Sequence, residues 1–121
     1  MAISKKGRRR IVVGGREYLW WVTQDRDNYD APGAPTLRVV STDKRVLVSY
    51  VLAQAEEARH VFVRGPEFRG TTQPGRSYRC PAFGLPGEIR PGNVAEFITW
   101  CTEPGQLPDE CDWQGNPVVA A

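Results

Sequence analysis

The sequence predicts an α+β fold: a twisted antiparallel sheet of about five strands, mostly a meander, with one C-terminal helix packed on it. Two observations carry most of this. Two stretches rich in β-branched and aromatic residues each fold back on a turn signal, Gly14-Gly15 in the first and Asp43-Lys44 in the second. One segment, Asn93 to Thr102, repeats apolar residues at helical spacing. The length of 121 residues suits a single domain, 1–121, with a real core and no room for a second one.

The first hairpin, Arg8 to Val22, organises the chain. Gly14-Gly15 supplies the positive φ angles of a two-residue turn. That turn sets Val13 opposite Arg16, Ile11 opposite Tyr18, and Arg9 opposite Trp20. Side chains alternate between faces, so Ile11, Val13, Tyr18, Trp20 and Val22 share one face, the core face. Val12, Leu19 and Trp21 share the other with Arg8, Arg10 and Glu17. A loop rich in Asp, Gly and Pro, residues 24–35, follows.

The second hairpin runs from Thr36 to Ser41 and from Arg45 to Leu52. Leu37, Val39, Val46, Val48, Tyr50 and Leu52 occupy its core face, and Arg38, Val40, Leu47, Ser49 and Val51 the other. Ala53 to Arg59 reads as a turn of helix or a connection, and His60 to Arg64 as a short strand. Residues 65–90 are rich in Gly and Pro, with one further strand at Arg76 to Cys80. In the helix, Asn93 is placed to cap and Glu96 to return the hydrogen bond. Val94, Phe97, Ile98 and Cys101 form its apolar stripe, and Pro104-Gly105 ends it. The tail carries Leu107, Trp113, Val118 and Val119, which are expected to dock.

Composition narrows the partners. The net charge of +2 is too small to imply one, but residues 1–16 are basic without an acid and residues 91–121 acidic without a base. No apolar run approaches the length of a membrane span, so no membrane partner is expected. The start of the chain fits neither a secretory signal nor a twin-arginine leader. Cys80, Cys101 and Cys111 are odd in number and follow no disulfide framework, which suits a reducing cytosol. Abundant Arg, Ala, Gly and Pro point to a GC-rich bacterial genome.

Catalytic and metal readings find little support. His60 is the single histidine; a Cys-His pair with Cys80 or Cys101 lacks a nucleophile motif, and core thiols are the simpler account. A zinc site from the three cysteines and His60 lacks a closely spaced ligand pair. Asp25 to Asp30 resembles a calcium loop only briefly: its sixth position is Asp30, not Gly, and its twelfth Thr36, not Glu. No cofactor and no metal are expected.

The strongest hint of a partner is the basic run Lys5-Lys6-Gly7-Arg8-Arg9-Arg10 beside Tyr18, Trp20 and Trp21. Arginines and aromatics together suit nucleic acid. The simpler account lays the arginines over the tryptophans across the hairpin as cation–π pairs. The function expected is therefore a non-enzymatic cytosolic protein-interaction module, with toxin neutralisation as one form and self-association as another. A nucleic-acid binder and an enzyme with a cryptic site at His60 are the alternatives. Arg8, Arg10 and Trp21 are the candidate binding residues. One consequence is testable: the second face of the sheet is too apolar to stand bare, so cover by segment 65–90 or by the tail from Leu107 to Val119 is favoured over a partner.

Overall fold

The computed structural model describes residues 7–23, 35–71, 75–84, 88–112 and 114–118. The acidic loop at Asp25 to Asp30, the lysines Lys5 and Lys6, Trp113 and Val119 lie outside them.

The class expected from the sequence is the one observed, with seven strands rather than about five. They are β1 (Arg9–Val13), β2 (Arg16–Thr23), β3 (Thr36–Ser41), β4 (Leu47–Val51), β5 (His60–Val63), β6 (Arg76–Arg79) and β7 (Glu110–Cys111), with α1 (Pro91–Thr102) between the last two. The sheet is an antiparallel meander in strict order, β1-β2-β3-β4-β5-β6-β7. A single 3-10 turn, Glu56–Ala58, joins β4 to β5.

The first hairpin holds the expected register, Val13 with Arg16, Ile11 with Tyr18 and Arg9 with Trp20. Gly14 and Gly15 both take positive φ, 60° and 79°, the conformation of a turn whose twist matches its strands. The register then propagates without a slip: Trp20 pairs with Val39, Val39 with Val48, Val48 with Val63. A continuous apolar row thus crosses the sheet on one face.

Helix α1 lies over that face. Val94, Phe97, Ile98 and Cys101 point into the sheet and are all buried, as their spacing implies. Phe97 meets Tyr50 at 5.5 Å between ring centroids and Phe83 at 5.1 Å. Phe68 stacks on Tyr78 at 4.9 Å and touches Trp100. Each large side chain so buried contributes about 1.5–3 kcal/mol.

The helix starts earlier than its polar cap signals suggest. Pro91 is its first residue, where a fixed φ and a missing N–H cost nothing. Asn93 therefore sits in the first turn, its Oδ1 accepting from the Arg90 backbone N–H at 3.0 Å, and is not the cap residue itself. At the other end Arg69 donates to the Trp100 carbonyl at 2.6 Å, an oxygen the helix leaves open, and to that of Gln106, beyond the helix, at 3.3 Å. The tail departs from expectation too: Leu107 packs against the core, but Val118 is exposed.

Beside the two hairpin turns, Arg16 bridges Glu67 at 2.6 Å and Asp43 at 2.8 Å, and Arg45 reaches Glu67 at 3.4 Å. The Arg16 hydrogen bond holds the Glu67 carboxyl below its ordinary value. The Ser41 hydroxyl, then the Arg45 amide and Arg16, bring Asp43 to about 2.

Two outcomes follow from this packing. Phe97→Ala should cost about 3–5 kcal/mol of stability, read from a denaturant midpoint. Both carboxyls titrate lower in the folded chain than in the unfolded one, so their contribution is full above the ordinary carboxylate range and is lost as pH falls toward about 2. The melting temperature should drop across that window, and Glu67→Gln should both lower it near neutral pH and flatten the drop.

Candidate interaction face

The face of the sheet opposite α1 is built by the same alternation. Arg8 stands opposite Trp21, Trp21 pairs with Arg38, Arg38 with Ser49, and Ser49 with Phe62. The row beside it runs Arg10, Leu19, Val40, Leu47. Val51 completes an apolar centre whose members, Leu19, Trp21, Val40, Leu47, Val51 and Phe62, are each half-buried. Val12 at the hairpin end is 62% exposed.

The segments expected to cover this face send most of their described apolar side chains elsewhere. Phe68, Tyr78, Phe83 and Leu107 join the cluster on the helix side, and Ile89 packs against it. The reason is geometric: Phe83 and Phe68 fill the space between α1 and the sheet, where Tyr50, Tyr78 and Trp100 offer ring partners. The second face is left half-buried, with Ile89, Arg90 and Pro91 reaching a cleft at its Trp21 edge.

Arginines ride on its aromatic rings. The Arg8 guanidinium lies 4.1 Å from the Trp21 ring centroid and that of Arg64 lies 5.8 Å from Phe62. One terminal nitrogen of Arg8 is shut off from solvent and has no hydrogen-bond acceptor, a cost that the indole face partly offsets. Arg10 pairs with Glu17 at 3.4 Å, both solvent-exposed, a contact worth little. Arg38 donates to Ser49 at 3.3 Å. Of the three residues singled out by sequence, Arg8 and Trp21 are thus in direct contact, and Arg10 stands one row away. Arg64 and Phe62 were missed, because only the pairing of β5 with β4 carries them onto this face.

No protein-family model matches the chain, and neither does any curated protein or solved structure. The reading of the face rests on its chemistry alone.

Elsewhere His60 and the cysteines belong to the fold. The His60 Nδ1 lies 2.7 Å from the Ala58 carbonyl, and Gln54 clamps the His60 backbone from both sides. Burial pushes the Cys80 thiol up to about 12 and that of Cys111 to about 11, and raises Cys101, enclosed in the core, well above its ordinary value. All three thiols therefore stay protonated at neutral pH, which suppresses thiolate chemistry. A cleft of about 500 Å³ is lined by Arg69, Arg79, Cys80 and Trp100. Its two arginines are spent on the fold, Arg69 capping α1 and Arg79 donating to the carbonyls of Glu56, Glu57 and Gly115.

The two adjacent tryptophans should respond differently to truncation. Trp20 is 6% exposed beneath the helix side and Trp21 is half-buried on the open one. Trp20→Ala should cost about 3–5 kcal/mol, whereas Trp21→Ala should cost about 1 kcal/mol, the order of the cation–π pair it removes. Denaturation midpoints of the two variants check this, together with acrylamide quenching, whose accessible share of the emission should fall in Trp21→Ala and not in Trp20→Ala.

Proposed function

We propose that the chain is a non-enzymatic protein-interaction module that receives an acidic protein surface on the open face of its sheet. One observation supports this above others: a half-solvated apolar centre of Leu19, Trp21, Val40, Leu47, Val51 and Phe62 is set among Arg8, Arg10, Arg38 and Arg64, with Glu17 beside Arg10. Trp and Arg anchors around an apolar centre are the residues that carry most of the energy in protein interfaces. The excess of positive charge selects an acidic partner by complementarity and speeds its encounter.

The same charge would attract nucleic acid, but the aromatic chemistry favours protein. Base stacking needs bare ring faces, and here Trp21 lies under Arg8 and Phe62 is flanked by Arg64. The remaining centre is aliphatic, which suits apolar side chains better than bases. A cytosolic setting fits the free cysteines at 80, 101 and 111. Toxin neutralisation, the narrower role, requires on this reading a toxin with an acidic surface.

A photo-cross-linking residue placed at Val40 tests the reading, with the same residue at Glu96 on the exposed side of α1 as the control. Position 40 alone should yield a discrete protein adduct in cells. That protein, purified, should bind the chain with an affinity that falls steeply with salt and drops at least about 100-fold in Leu47→Glu, the order expected of an interface centre. Cross-linking to nucleic acid, equal adducts at both positions, or indifference to Leu47→Glu would each overturn it.

A further inference from the structure

A second cleft, of about 380 Å³, opens where the outer corner of the sheet meets the start of α1. Its lining brings together residues far apart in sequence: Arg9, Trp20, Trp21 and Val22 from the first hairpin, and Ile89, Arg90 and Pro91 from the entry to the helix. The apolar part is Trp20, Val22, Ile89 and Pro91, with Trp21 at its edge. Val22, although its alternation puts it on the core face, is 43% exposed here because the strand outruns the cover of the helix.

The charge around this apolar lining has one sign. Arg9 is exposed, lies 5.5 Å from the Trp20 ring, and has no carboxylate partner among the described residues. Arg90 is exposed, and its one acid neighbour, Glu88, stands 3.6 Å away with both side chains largely in solvent, where such a contact is weak. No lining residue among the described ones is acidic. The first turn of α1 carries no acid either, so the positive end of its dipole is uncompensated. Gly92, its second residue, has nothing within 4 Å of where a Cβ would stand, which leaves that end of the helix open to approach.

We infer that this cleft binds a small organic anion, a carboxylate carried on a flat apolar body. Arg9 and Arg90 take the carboxylate, for which the guanidinium fork is the natural partner. Val22, Ile89 and Pro91 take the apolar body beside Trp20. The volume lies within the range of small-molecule sites and is sufficient for one aromatic ring with its acid group. This site adjoins the interaction face and shares Trp21 with it, but its charged residues, Arg9 and Arg90, belong to neither the centre nor the rim of that face, so variants at them test the cleft alone.

Titration of benzoate into the isotope-labelled chain, followed by amide and indole nuclear magnetic resonance, tests the inference. Benzoate should produce saturable shifts at the Trp20 indole and at the amides of Val22, Gly92 and Asn93, with a Kd of about 1 mM for a ligand this small. Benzyl alcohol, which keeps the ring without the charge, and acetate, which keeps the charge without the ring, should each bind at least about tenfold more weakly. The double variant Arg9→Gln/Arg90→Gln should weaken benzoate by about tenfold or more with an unchanged melting temperature, since both side chains are exposed. Val22→Glu, which plants a fixed carboxylate in the cleft, should abolish the shifts. Equal binding of benzyl alcohol, unaltered affinity in the double variant, shifts centred on Leu47 and Phe62 instead, or no saturable shift at all would overturn it.

Discussion

Burial of one sheet face beneath a single helix is the constraint on which the rest of the molecule depends. Trp20, Val39, Val48 and Val63 form a row that exists only because every strand keeps its register with the one before. A slip of one residue at any hairpin would send the row to solvent and bring Trp21, Val40 and Leu47 under the helix. The Arg16–Glu67–Asp43 bridge stands at the hairpin ends where such a slip would begin, and it ties the β2 start to the β3–β4 turn and to the segment after β5. Helix α1, whose buried stripe is Val94, Phe97, Ile98 and Cys101, has nothing left to offer the opposite face.

That opposite face solves its exposure in an uncommon way. Rather than polar side chains at every outward position, it uses guanidinium groups laid on aromatic rings, Arg8 on Trp21 and Arg64 beside Phe62. A guanidinium is weakly hydrated and flat, so it can shield a ring while keeping its charge available. The arrangement places charge at outward positions of the sheet while keeping its apolar content. It also leaves the arginines pre-positioned, so a partner would pay less to order them.

The sequence was most informative where alternation and turn chemistry act together. The first two hairpins, their register and their faces could all be read from residues 8 to 52, because Gly14-Gly15 and Asp43-Lys44 fix where each strand turns. The helix stripe was equally legible from spacing, but its start was not: Pro91-Gly92 resembles a breaker until the space before Asn93 is known. Strand β6 was legible at Arg76 to Cys80, one residue longer than observed, whereas β7 has too few residues to carry a pattern and exists only through its pairing with Ser77 and Tyr78. For the same reason the contact of Arg8 with Trp21 could be anticipated within one hairpin, whereas Phe62 and Arg64 could not be placed beside it. The cleft at Arg9, Val22 and Arg90 has no local signal of any kind, since it joins a strand start, a strand end and a helix entry that only tertiary packing brings together.

The strict order of the strands also has a kinetic side. In this meander each strand finds its partner in the strand just made, so the sheet can lengthen hairpin by hairpin as the chain leaves the ribosome, with little loop-closure entropy to overcome at any step. The helix arrives only after six strands have been synthesised. Until then the row from Trp20 to Val63 has no lid, and the growing sheet is greasy on both sides. The nascent chain is thus most vulnerable to sticking just before residues 91–102 emerge, and translation pausing at that point would be the costliest place for it.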